Sequence, residues 1–204
     1  MLNVARSYPS PNAPLRPMVL YTMVLLAYCA GLRRSELARL DLGDVDFQSG
    51  TITIRQTKFY KTRLLPLTGS VLAELRAYID ARQRAGAPQN PESGLFWHGH
   101  FNDRYTPRSV STMITDVMRR AGFKAPTGRT GPRVHDLRHS MVVNRILQWY
   151  RAGVNPQDKL HFLSTYMGHR DINSTLVYIT VTQDLLQEAS ERFRTVGARC
   201  LAME

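Results

Sequence analysis

DVDFQSGTITIRQTKFYKTRLLPL, residues 44–67, switches hydrophobic period partway along, and that switch decides the fold class. Thr51, Thr53 and Arg55 alternate with Ile52 and Ile54, and a second run follows from Arg63 to Leu67. Strict alternation puts successive side chains on opposite faces, the period of a strand. Two such runs joined by a polar segment predict an antiparallel hairpin whose tip holds Lys58 and Lys61. With Asp44–Phe47 leading in, the expectation is a mainly α chain with a small three-stranded antiparallel sheet, an α+β fold.

On either side of this stretch the pattern is helical. Met18 to Ala30 is almost continuously apolar, which predicts a buried helix ended by Gly31, and a short helix follows over 35–40. C-terminal to the sheet, helices are expected at 69–84, 107–121, 136–151, 157–167, 171–179 and 182–195, separated by Gly- and Pro-containing breaks at 86–94, 122–132 and 153–156. Residues 1–17 carry prolines at 9, 11, 14 and 17 with Ser and Asn between them, the composition of a linker or flexible N-terminus. One compact domain is expected over 18–195, with 196–204 as a tail.

The 204 residues carry a formal charge of +11 and a pI near 10.2, with 23 Arg against 4 Lys. Such an excess suits a polyanion, because neutralising phosphates releases counterions and gives affinity without reading sequence. GC-rich coding accounts for some of the Arg-for-Lys bias, but not for the excess of base over acid. Cys29 and Cys200 are far apart, and Cys29 lies in an apolar run, which favours a reducing, cytoplasmic setting. The run 19–32 is too short to span a bilayer, so no membrane partner is expected.

Three further segments hold residues suited to phosphate chemistry. In HDLRH, 135–139, His135 and Arg138 are three apart at the start of a helix and share a face. GLRRSEL, 31–37, places Arg33 in the turn after a buried helix, with Arg34 as its rival and Glu36 close by. YMGHRDINSTLVYI, 166–179, sets His169 in a turn and Tyr178 late in a short helix. Taken singly, each has an ordinary alternative. A histidine can pack in a core, an arginine in a helical turn or a lysine at a hairpin tip is commonly just solvated, and Tyr178 could be a core residue with its hydroxyl at the rim.

Together these segments resemble the catalytic domain of the tyrosine recombinases, the phage integrase family. AGLRRSEL is similar to that family's first arginine box, TKFYKTRLLPL to its β-hairpin lysine segment, HDLRH to its second box, and LSTYMGHRDINSTLVYI to its third box with the nucleophile. The resemblance runs from about residue 18 to about 194. It implies that Tyr178 is the nucleophile, Arg33 and Arg138 the phosphate clamp, and Lys58 the general acid for the leaving 5′ oxygen, with His135 and His169 completing the pocket. It selects Arg33 over Arg34 and makes Glu36 a support for that arginine.

The activity so implied is site-specific DNA recombination of the integrase or transposase type, through a covalent 3′-phosphotyrosine, without metal or other cofactor. The implied partners are double-stranded DNA, further copies of the chain in a tetrameric synaptic complex, and accessory or sister recombinases, in a bacterial or phage setting at the nucleoid. Arg34, Lys61, Arg104, Arg108, Arg129 and Arg133 are candidate DNA contacts. The family's N-terminal core-binding domain does not fit into residues 1–17 and is expected to be absent. Two rival readings stand beside this one: a catalytically incompetent or regulatory DNA-binding fragment, and type IB topoisomerase-like nicking and resealing.

Overall fold

Local sequence signals set most of the element boundaries. The computed structural model describes residues 1–55, 62–99 and 103–168, together with positions 187 and 190. Helix α1 covers Leu2–Arg6 and helix α2 covers Arg16–Cys29. Helix α2 has Pro17 in its first turn, where a missing N–H goes unused. Its near-continuous apolar run leaves Val19, Leu20, Met23, Leu26 and Ala27 almost wholly buried. Each fully buried Leu or Met contributes about 1.5–3 kcal/mol of transfer free energy. Gly31, at φ +62°, ends the run in a left-handed turn open to few other residues.

Helix α3, Arg34–Arg39, follows at once, and a single 3-10 turn at Leu42–Asp44 leads into the sheet. Strands β1 (Val45–Asp46), β2 (Thr51–Ile54) and β3 (Arg63–Pro66) form an antiparallel sheet in the order β1-β2-β3. The register pairs Ile52 with Leu65 and Ile54 with Arg63, so Ile52, Ile54 and Leu65 are buried while Leu64 faces out. The tight β1–β2 connection is closed by Asp46, whose carboxylate accepts from the Gln48 and Ser49 amides at 2.8 and 3.2 Å. The mainly α fold with a small three-stranded sheet is therefore the one observed.

Helix α4 spans Gly69–Arg84 and helix α5 spans Pro107–Arg120, the latter opened by Thr106, whose hydroxyl accepts from the Ser109 amide at 3.1 Å. Val110, Ile114, Val117 and Met118 form its buried stripe, the spacing of one helical face. Helix α6 covers Val134–Arg151, and a 3-10 turn at Pro156–Lys159 runs into helix α7, Leu160–Met167, capped by Gly168 at φ +63°.

In its secondary-structure elements the chain differs most from the sequence reading at two places. The proline-rich stretch expected to be a linker holds α1, whose Ala5 is fully buried. It also holds Tyr8, whose hydroxyl donates to Asp116 at 2.6 Å, and Arg6, which pairs with Glu74 at 2.7 Å. The prolines, at 9, 11, 14 and 17, all follow these anchors. A two-stranded sheet, β4 (Trp97–His98) with β5 (Asp103–Arg104), is also present, each strand too short to show alternation. The helices expected over 171–179 and 182–195 lie outside the described residues, apart from two isolated positions.

The chain divides into two units, residues 1–138 and 139–204, where the sequence predicts one domain. The first contains α1 to α5 and both sheets. The described part of the second has its own core of Met141, Val142, Ile146, Leu147, Leu163 and Met167. Among the described residues no helix is long and apolar enough to cross a membrane.

Candidate active site

Glu36 organises the site. As the third residue of α3 it reaches back to accept the Arg33 backbone N–H at 2.9 Å, which fixes the start of the helix. The same carboxylate accepts from the Arg33 side chain, Nη1 to Oε1, at 2.8 Å. From β3, Arg63 grips both of its oxygens, Nη1 to Oε1 at 3.1 Å and Nη2 to Oε2 at 2.9 Å. A carboxylate side chain only 5% exposed is thus held between two guanidiniums. Burial pushes its pKa up, but the Arg63 fork, aided by Arg33, outweighs burial and holds Glu36 below the usual carboxylate range.

A lowered folded pKa has a definite sign for stability. The unfolded carboxyl titrates near 4.3, so the stabilisation from ionised Glu36 is fully present above about pH 4.3. It is lost as pH falls through the lower folded value. Urea unfolding of wild type and Glu36→Gln should therefore show a stability difference that is flat from neutral pH down to the unfolded pKa and shrinks below it.

Arg138 lies one helical turn into α6, 1% exposed, and its Nη1 donates to the Gly31 carbonyl at 2.6 Å. That carbonyl belongs to the left-handed turn two residues before Arg33, so the two arginines of the expected clamp are joined through one turn. Gly31→Ala should cost about 1–2 kcal/mol from the forced left-handed backbone alone, read as a lower denaturation midpoint. Arg133 precedes α6, and its amide donates to Asp136 at 2.7 Å, the same reach-back that Glu36 makes in α3.

An open cleft of about 510 Å³ is lined by Arg33, Arg34, Ser35, Ser111, Thr115, Lys124, Pro132, Arg133, Val134 and His135. Five of these ten carry or can carry positive charge and none is acidic, which makes it a pocket for an anion. Arg34 donates to the Ser111 hydroxyl at 3.3 Å and is exposed at the cleft. Arg108 is exposed in the first turn of α5, and Arg129 is exposed in the loop before α6. Arg104, partly exposed, donates to the Arg39 and Glu92 carbonyls at 3.4 and 3.1 Å and pairs with Asp41 at 3.0 Å. It closes its own loop.

Sequence reasoning missed Arg63 and Lys124. Lys124 is 8% exposed and its ammonium sits 2.7–3.3 Å from the carbonyls of Arg129, Thr130, Gly131 and Pro132, stapling the loop that delivers His135. Arg63 had one possible signal, its place at the base of the hairpin that also holds Lys58. Lys58, Lys61, His169 and Tyr178 lie outside the described residues. Among the described residues no group of three or more His, Cys, Asp or Glu is placed to hold a metal ion.

The first unit is thus mainly helical, with a small sheet that supplies Arg63 to buried Glu36 next to a cationic cleft. The chain belongs to the phage integrase family, whose sequence model matches residues 8–184. The protein named "Putative integrase/recombinase y4rB" of Sinorhizobium fredii (strain NBRC 101917 / NGR234) is 36% identical over 178 residues, 87% of this chain and 56% of that protein. Tyrosine recombinase XerA of Pyrococcus furiosus (strain ATCC 43587 / DSM 3638 / JCM 8422 / Vc1) is 28% identical over 170 residues, 83% of this chain and 53% of that protein. The chain thus spans little more than half the length of these relatives. In fold it matches the crystal structure of XerA recombinase with a TM-score of 0.73 at 23% identity, over 95% of this chain and 60% of that one.

Proposed function

We propose that this chain supplies the strand-breaking and strand-joining centre of a site-specific DNA recombinase. The observation that carries the reading is the cationic cleft in which Arg33, braced by buried Glu36, and His135 face the same space, with Arg138 bound to the turn that presents Arg33. Phosphoryl transfer spreads negative charge over the non-bridging oxygens, and guanidiniums fixed in advance stabilise that charge more in the transition state than in the ground state.

On this reading Arg33 and Arg138 clamp the scissile phosphate and His135 and His169 add donors. The Tyr178 oxygen attacks phosphorus and gives up its proton to a pocket histidine acting as base. The bond to the 5′ oxygen breaks, and Lys58 protonates that oxygen as it leaves. The product is a 3′-phosphotyrosine and a free 5′ hydroxyl. Because the ester keeps the bond energy, attack by another strand's 5′ hydroxyl reverses the step without ATP or metal.

Duplex DNA is the substrate, contacted around the cleft by Arg34, Arg108, Arg129 and Arg133 and, from the hairpin, by Lys61. Four copies acting on two duplexes make the exchange complete, in a cytoplasmic setting. The test is a duplex from the DNA flanking the gene, nicked so that the cleaved strand loses a short fragment and cannot religate. With chelator present, a covalent protein–DNA species stable to detergent should accumulate. Failure to form it on every flanking junction would refute the reading.

A further inference from the structure

The pairing of one buried carboxylate with two guanidiniums poses a question of charge. Arg33 and Arg63 share Glu36, yet they face different surroundings. Arg33 has a side chain 26% exposed, lines the cleft, and spends one side-chain hydrogen bond on Glu36. Arg63 has a side chain 10% exposed, is not among the described residues lining the cleft, and turns both terminal nitrogens onto Glu36. Its Nε is buried with no hydrogen-bond partner among the described residues. Both terminal nitrogens of the fork are thus committed inward, to Glu36.

We propose that Arg63 is a positioning residue that neutralises Glu36, so that Arg33 keeps its positive charge for the phosphate in the cleft. This rests on the reading of Arg33 as a phosphate ligand. With both arginines present, the trio carries one net positive charge, and the guanidinium at the cleft is the one able to express it. Without Arg63, Glu36 would neutralise Arg33 instead, because a buried carboxylate draws in the nearest cation. The acid would then brace Arg33 and silence it together.

The proposal requires a rescue. Arg63→Met should weaken binding of a short fluorescein-labelled duplex of arbitrary sequence several-fold. It should also lower the slope of log affinity against log salt by about 0.9, the loss of one phosphate contact. Adding Glu36→Gln removes the negative charge and returns Arg33 to the cleft as a free cation, so the double variant should bind with the wild-type slope. Arg63→Lys, which keeps the charge, should stay near wild type, and thermal melts establish that each variant is folded.

A double variant that binds no better than Arg63→Met overturns the proposal, since a merely structural or directly DNA-contacting Arg63 gives no rescue. If Arg63→Met does not fold, the double variant against wild type decides: equal slopes support compensation, and a slope lower by about 0.9 overturns it. Wild-type protein that fails to bind the duplex overturns this proposal together with the reading of the cleft. Wild-type binding with an unchanged Arg63→Met overturns this proposal alone.

Discussion

Tyr178→Phe should abolish covalent capture of DNA while leaving DNA binding within about twofold of wild type. The substitution removes one oxygen. A phenol has a pKa near 10 and is a poor nucleophile at neutral pH, so its reactivity depends on the cations gathered at the phosphate. With the oxygen gone, the arginines still hold the phosphate but nothing attacks it. Single-turnover accumulation of the detergent-stable adduct on a nicked flanking duplex should fall by at least about a thousandfold, the scale seen when the group making a covalent intermediate is deleted. Anisotropy on the same duplex checks that binding survives.

Glu36→Ala should give the largest loss of stability among changes around the cleft. It leaves Arg63, whose side chain is 10% exposed, without the carboxylate that both its terminal nitrogens bind. It also removes the acceptor for the Arg33 amide. Breaking a buried ion pair by deleting one partner costs about 3–5 kcal/mol, because the remaining charge is stranded. For a chain of this size each kcal/mol lowers the melting temperature by about 2–4 °C, so calorimetry should show a drop of about 6–20 °C. Glu36→Gln strands the same positive charge but keeps the side chain's volume and one acceptor oxygen, so it should lose less than Glu36→Ala, and the difference between the two variants reports packing and that hydrogen bond, not charge.

Much of the fold was legible because its boundaries are written in Pro, Gly and capping residues. Gly31 and Gly168 stop helices with left-handed turns, and Pro107 starts α5. The Thr–Ile alternation of β2 gave the sheet, and α4 over 69–84 follows the expected bounds. Helix α1 was not legible. At five residues it has no periodicity, and what holds it is tertiary: Ala5 buried, and Arg6 and Tyr8 bonded to Glu74 and Asp116 far along the chain.

The site divides the same way. Arg33, Glu36, His135 and Arg138 stand out because their segments resemble those of a family, and the structure places Arg33 and His135 on one cleft with Glu36 bonded to the first. Arg63 went unread because an arginine in an alternating strand looks like a solvated outward position. Only the approach of β3 to α3 makes it a partner of Glu36. Lys124 went unread because its partners are backbone carbonyls, which leave no trace in side-chain pattern. Arg104 is a candidate DNA contact by its charge and loop position, and the structure bonds its partly exposed side chain to the Arg39 and Glu92 carbonyls and to Asp41.

The atom that carries the DNA after cleavage distinguishes a phosphotyrosine enzyme from every alternative. Trypsin cleaves after Arg170 and Arg192, so residues 171–192 form one peptide in which Tyr178 is the sole tyrosine. Trapping the wild-type protein on a nicked flanking duplex in chelator, digesting with nuclease and trypsin, and sequencing that peptide by mass spectrometry should find a phosphonucleotide on Tyr178. A phosphonucleotide on any other residue, or an adduct that forms only when a divalent cation is supplied, would contradict the account.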